Sequence, residues 1–144
     1  MTKRERAQEL FLQGYNCAQA VAGAFCEEMG LTLTQAVRAL SGFGGGMGRL
    51  REVCGACSGM IFVLSNLKGY DKAEDQEGKK ALYEIVREGM GNFKEKNGSY
   101  VCRELLGGVP AGGDPAQRTG EYYKKRPCVE LVGDAAEICE QLLK

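Results

Sequence analysis

Seven cysteines and no histidine bound the chemistry open to this chain. Four of the cysteines follow signals for the start of a helix. Cys17 comes after Asn16, a good N-cap whose capping box is completed by Gln19. Cys54 opens the apolar stretch Met60-Ile61-Phe62-Val63-Leu64, Cys102 stands three residues after Ser99, and Cys128 follows Pro127, which suits a first helical position. A thiol in a first helical turn faces unpaired N–H groups and the positive end of the helix dipole. Both favour the thiolate and lower its pKa. Arg51, Arg103 and Arg126 lie near three of the four and are expected to add to that field. Cys26 and Cys139 fall late in their expected helices, beside apolar residues, and are expected to pack as small hydrophobes. Cys57 is intermediate, one turn inside the helix and on the face of Cys54.

Four such thiols allow three kinds of site. An iron–sulfur cluster takes four thiolates and is stabilised by N–H donors to the sulfurs. A dithiol/disulfide centre would use Cys54 as the attacking thiol, with Cys57 or another cysteine resolving. A structural zinc site would take four cysteine ligands, but such sites usually carry two Cys-x-x-Cys pairs, and Cys54-Gly55-Ala56-Cys57 is the only pair here. No βαβ pattern surrounds that pair, which excludes a thioredoxin fold. The lack of histidine removes the usual general base, Ser–His and Cys–His catalysis, and mixed Cys/His zinc sites. The remaining reading is seven inert core thiols, against which the clustering at helix starts argues.

Gly42-Phe43-Gly44-Gly45-Gly46-Met47-Gly48 precedes Cys54. Glycine loses more backbone entropy on ordering than alanine, so this run is a loop and not a helix. Its backbone is expected to act as an anion nest that donates hydrogen bonds to a cofactor, with Gly44, Gly45, Gly46 and Gly48 as the contact positions. Gly-x-Gly-x-x-Gly fails in every register and no Gly-Lys-Ser/Thr is present, so phosphate binding is a minor reading beside a tight chain reversal. The carboxylates Glu27, Glu28, Asp134 and Glu137, and the basic start Lys3-Arg4-Glu5-Arg6, are expected to be solvated. Tyr122-Tyr123-Lys124-Lys125-Arg126 reads as a surface loop, or else as a shield over a site or a partner surface.

The elements that must position these residues are helical, because no segment alternates at period two. Ala7, Leu10 and Phe11 mark a first helix over residues 3–12. Ala18, Val21, Phe25 and Met29 mark a second, stopped by Gly30, and Thr32 with Gln35 caps a short third. A helix from near Cys54 to before Gly69 is apolar nearly all round and belongs at the centre. Asp71 with Glu74 is read as the cap of a long helix ending near Lys96, with Leu82, Ile85, Val86, Met90 and Phe93 inward. A short helix follows over residues 102–106, then a loop at 107–126, then a last helix with Val132, Ala135, Ala136, Cys139, Leu142 and Leu143 on one stripe. The expected architecture is all-α, one domain over residues 1–144, with about six helices around the central one.

Lysine plus arginine equals aspartate plus glutamate at 19 each, so no electrostatic footprint for nucleic acid is present. No apolar run reaches membrane-spanning length, and the charged start lacks the apolar core of a signal peptide. The expected setting is the cytoplasm, where thiols stay reduced. The odd cysteine count does not suit a secreted disulfide framework.

With these residues in place the chain resembles the C_GCAxxG_C_C family of redox-active proteins over nearly its whole length. The likeness rests on Asn16-Cys17-Ala18-Gln19-Ala20-Val21, the glycine loop Gly42–Gly48, Cys54-Gly55-Ala56 with Gly59, Cys102-Arg103-Glu104-Leu105-Leu106-Gly107, and Cys128 ahead of Asp134-Ala135-Ala136. The family pattern marks four cysteines, which fall on Cys17, Cys54, Cys102 and Cys128, the same four picked by the helix-start argument. Cys26, Cys57 and Cys139 are extras. The resemblance implies redox activity. Related helical domains joined to c-type haem domains hold a two-iron, two-sulfur cluster, so it further implies a [2Fe-2S] cluster on those four thiols, serving electron transfer to a redox partner protein. Thiol–disulfide exchange at Cys54 and Cys57, structural zinc, and a site shared between two copies of the chain stay open.

Overall fold

The computed structural model describes residues 1–144, except for the side chains of Lys124 and Lys125. It is all-helical, as the periodicity requires. The elements are α1 (Lys3–Leu12), α2 (Cys17–Ala24), α3 (Cys26–Met29), α4 (Leu33–Ala39), α5 (Gly55–Lys68), α6 (Gln76–Asn97), α7 (Cys102–Leu105), α8 (Gly120–Lys125) and α9 (Cys128–Leu142), with a 3-10 turn at Ser41–Phe43. No helix among the described residues is long and apolar enough to cross a membrane.

More helices form than the expected six or so, for two reasons. The expected second helix breaks at Phe25, whose φ of −112° and ψ of 13° leave the helical region, so Cys26 begins a new short helix and does not end a long one. A helix also forms inside the expected 107–126 loop, where the Thr119 side chain caps α8 by accepting from the Tyr122 amide. The expected capping boxes at Asn16/Gln19 and Thr32/Gln35 are present, and Thr2/Glu5 adds a third. Two other caps differ from the sequence reading. Asp75, in place of Asp71 with Glu74, caps α6 by accepting from the Gly78 amide. Ser99 does not cap α7; it accepts from the Val101 amide and donates to Glu104, while Val101 takes the N-cap position.

The central helix is α5. It packs against α2, α6 and α9, while α1 lies across α2 and α9. Phe11, Phe25, Phe93, Leu10, Met60, Leu64, Val63 and Val132 are fully buried between them, each of the larger ones worth about 1.5–3 kcal/mol. Two glycines set how closely α5 approaches its neighbours. A Cβ on Gly59 would lie 2.6 Å from the Ala18 carbonyl oxygen, so α2 and α5 touch backbone to side-chain-free backbone. A Cβ on Gly89 would lie 3.1 Å from Met60 and Leu142, so that glycine fits α6 against α5 and α9 at its cost in helix propensity.

The terminal charges are not solvated as expected. Lys3 pairs with Glu28 at 2.5 Å and stands over the Phe25 ring. Arg4 bonds Asp134 and Glu137, and Lys96 approaches Asp134 to 3.2 Å. Asp134 is buried because α1 crosses α9 at Gly133, where a Cβ would strike Arg4 and Gln8 at 2.6 Å. Glu27 is exposed, as the sequence reading has it.

Candidate functional site

The glycine loop coils left-handed. Gly45, Gly46, Met47, Gly48 and Arg49 have consecutive positive φ values of 64°, 71°, 68°, 57° and 64°, and Arg51 follows at 61°. Three of these positions are not glycine, and each costs about 1–2 kcal/mol in that region. Bonds across the loop hold the shape: the amides of Gly48, Arg49, Arg51 and Glu52 donate to the carbonyls of Gly42, Gly44, Gly45 and Gly46. The coil ends at Arg51 and delivers the chain to a run over residues 52–54. That run pairs with residues 100–103 through a single antiparallel bridge between Val53 and Val101. The Cys54 amide donates to Tyr100 at 2.9 Å, and the Cys102 and Arg103 amides donate back to Glu52 and Arg51. Cys54, opposite Tyr100, and Cys102, opposite Glu52, are thereby fixed at the two ends of one pairing.

Glycines bring the other elements in. A Cβ on Gly46 would lie 2.6 Å from Cys102 Cβ, and one on Gly55 would lie 3.1 Å from Cys17 Cβ and from the Ala18 amide nitrogen. Asn16 both caps α2 and donates from Nδ2 to the carbonyls of Leu40 and Ser41, tying the start of the loop to Cys17. Pro127 serves as the N-cap of α9, one position earlier than expected, and Cys128 is the first helical residue.

The result is that Cys17, Cys54, Cys102 and Cys128 line one small cavity of about 40 Å³, together with Gly45, Gly46, Arg51, Arg118, Tyr122 and Arg126. This is room on the order of three water molecules. The sulfurs are protonated unequally. Cys17 shares its hydrogen with Cys128: that bond, then burial, pushes Cys17 well up, while the same bond together with Arg126, Arg118 and Arg51 lowers Cys128. The Cys57 thiol donates to Cys54 and lowers it. The Ala56 and Cys57 amides also face the Cys54 sulfur, at sulfur's longer reach and without forming a regular side-chain cap. Burial raises Cys102 despite the Arg51 guanidinium 3.8 Å from its sulfur. The helix-start rule therefore holds in sign for Cys54 and Cys128 only; at Cys17 and Cys102 proton sharing and burial outweigh the helix end.

The other three cysteines lie outside the cavity. Cys139 is fully buried in the core, its pKa pushed up to about 12 by burial. Cys26 is half-buried at the start of α3, so a helix start alone does not select a site thiol. Cys57 is fully buried behind Cys54, and its bond to Cys54, then burial, raises it strongly. In the metal-free protein at pH 7.5, iodoacetamide is expected to modify Cys54 and Cys128 before Cys57 and Cys139. Thiolates persist below the ordinary thiol pKa only where that pKa is lowered. Peptide mass spectrometry follows the order, and prior labelling of Cys139 in folded protein would contradict it.

Of the expected glycine contacts, Gly45 and Gly46 line the thiol cavity, while Gly44 and Gly48 face an outer recess beside it. Arg103 turns away to Glu52 at the surface and adds nothing at Cys102. One contributor, Arg118, escaped the sequence reading, and a second, Tyr122, fits its lesser alternative of a shield over a site. Arg118 stacks over Phe11 and Tyr122 at 4.7 Å from each ring centroid. Tyr122, expected on a surface loop, is half-buried on α8 and walls the thiols, with Tyr123 packed edge-on against Phe11 at 5.8 Å. The flanking turn signals around Arg118 carried no hint that the loop folds back. The part of the aromatic-basic run formed by the Lys124 and Lys125 side chains lies outside the described residues.

The donor set fits an iron–sulfur group in type and number: four sulfurs, cationic arginines, and glycines where a Cβ would fill the space. Among the described residues no three Cys, Asp or Glu side chains stand close enough to grip one metal ion as they are. Cys17 bonds Cys128, whereas the sulfur partner of Cys54 is Cys57, behind the cavity, and Cys102 has Arg51 at its sulfur.

No curated protein and no solved structure matches the chain. The model of one family does, from residue 15 to residue 142, and its description reads "putative redox-active protein (C_GCAxxG_C_C)". With its four pattern cysteines drawn from four separate segments into one cavity, the chain belongs to the C_GCAxxG_C_C family of redox-active proteins.

Proposed function

We propose that the protein is an electron carrier built on a [2Fe-2S] cluster held by Cys17, Cys54, Cys102 and Cys128. The observation that carries this reading is the gathering of four thiols around one cavity walled by Arg51, Arg118 and Arg126. The cluster supplies reversible one-electron chemistry. The chain's own residues set its terms: the arginines balance anionic charge and favour the reduced state, the Gly46 contact holds Cys102 in place, and Tyr122 restricts water. A redox partner protein in a reducing compartment, the cytoplasm on this reading, would exchange the electron.

Protein purified without oxygen is expected to be coloured and to carry about two irons and two acid-labile sulfides per chain. Colourless protein with neither, even after reconstitution, would sink the proposal, and stoichiometric zinc would replace it with a structural site.

A second reading rests on the Cys57-to-Cys54 hydrogen bond, which gives Cys54 thiolate character beside a proton-holding partner, as thiol–disulfide exchange requires. It predicts a reversible Cys54–Cys57 disulfide. Full redox activity in Cys57→Ala would rule it out.

A further inference from the structure

A recess of about 400 Å³ opens beside the thiol cavity and shares Arg51, Arg118, Tyr122 and Arg126 with it. Its far wall is Arg49 with Gly44 and Gly48 of the left-handed coil, none of which reaches the thiols. Four guanidinium groups thus surround one recess, and no aspartate or glutamate lines it. Among the described residues none of the four forms an ion pair with a carboxylate, whereas Arg4, Arg6 and Arg103 each do. Arg49 spends Nε on the Gly112 carbonyl, and Arg51 spends Nε on the Pro110 carbonyl and Nη1 on the Cys102 sulfur, which leaves further donors open on both. Arg51 is nearly fully buried at 4% exposure, and Arg118 Nη1 is buried with no hydrogen-bond partner among the described residues. Like charges brought together with open donors are unfavourable unless an anion completes them.

Charge compensation at the thiols does not account for all of this. Arg51, Arg118 and Arg126 touch both cavities, but Arg49 faces the recess alone, and the recess is about ten times the larger. The absence of a phosphate-loop motif is no objection, because the donors here are side chains from positions 49, 51, 118 and 126 and not a run of loop amides.

We infer that this recess binds the oxyanion group of a small molecule, a phosphate, a sulfur oxyanion or a carboxylate, next to the redox thiols. Guanidinium forks match such groups in two-point geometry, which explains four arginines where lysines would serve for charge alone. The inference stands on the arginines and not on the identity of any metal.

The test is titration calorimetry of the purified full chain at low ionic strength with inorganic phosphate, sulfate and acetate in turn. Saturable binding of at least one is expected, its affinity falling about tenfold or more in Arg126→Gln and in Arg49→Gln, and holding within about twofold in Arg87→Gln, on the exposed face of α6. Arg126 has an ordinary backbone (φ −114°), so that variant answers even if Arg49, at positive φ, tolerates substitution poorly. Binding that survives in Cys102→Ser after iron is lost would separate this site from the cluster. No saturation by any of the three anions up to about 10 mM, or undiminished affinity in Arg126→Gln, would overturn the inference.

Discussion

Gly46→Ala is expected to destabilise the fold by about 3 kcal/mol and, on the proposed cluster reading, to lose iron. Two costs add. The backbone at Gly46 has φ +71°, where a Cβ costs about 1–2 kcal/mol. That Cβ would also lie 2.6 Å from Cys102 Cβ, 2.8 Å from the Glu52 nitrogen and 2.9 Å from Arg51 Cα, none of which is a flexible side-chain end. Forced overpacking of this kind costs about 1–3 kcal/mol more. The nearby Gly48 separates the two terms: its φ is +57° but a Cβ there meets nothing within 4 Å. Gly48→Ala should therefore lose only the backbone term, about 1–2 kcal/mol, and keep its iron. Relief of the Gly46 clash has to part residues 51–54 from 100–103, the pairing that carries both Cys54 and Cys102. Thermal melts and iron assays on both variants check this. At about 2–4 °C per kcal/mol for a chain of this size, Gly46→Ala should melt about 10 °C low. A Gly46→Ala melt equal to that of Gly48→Ala would refute the clash.

Two of the four cavity thiols, Cys17 and Cys128, were legible from local signals that the fold keeps, whereas Ser99 does not cap the helix that Cys102 begins. Asn16 and Gln19 announce α2, Pro127 announces α9, and local signals survive into the fold because they act within one turn. The rule behind the choice is less general than it looks: Cys26 also starts a helix, yet lies away from the cavity. Phe25 breaks α2 by its tertiary packing, and a period of 3.6 residues carries no trace of that. Arg118 was illegible for the opposite reason. Residues 107–119 look like plain loop, and they reach the site only because the Arg49 carbonyl and side chain bind Gly112, and the Arg51 side chain binds Pro110, across some sixty positions of sequence. The same holds for Asp134, whose burial depends on Arg4 reaching it from the far end of the chain. Contacts of that separation leave no period or spacing to read.

Serine in place of Cys17, Cys54, Cys102 or Cys128, one at a time, is expected to cut bound iron at least about tenfold, while Cys26→Ser, Cys57→Ala and Cys139→Ala keep it. The sorting follows from position. Each of the four lines the cavity, and serine oxygen is a harder, more basic and shorter ligand than thiolate, so it replaces sulfur poorly at iron. Cys139 lies in the core between α9 and its neighbours; its replacement by alanine removes one buried sulfur and should lower stability by about 1–2 kcal/mol without touching the site. Cys57 is the decisive member of the series. It lies behind Cys54, fully buried, and reaches the cavity only through its hydrogen bond to the Cys54 sulfur. As a neighbour of a ligand it should tune the cluster and not hold it. Cys57→Ala should then retain iron and the cluster's visible spectrum while shifting the reduction potential downward, since a hydrogen bond to a ligand sulfur stabilises the more negative, reduced state. Iron retained with an altered potential places Cys57 behind the ligand shell. Iron lost in this variant, with circular dichroism unchanged, would make Cys57 a ligand and remove one of the four from the set.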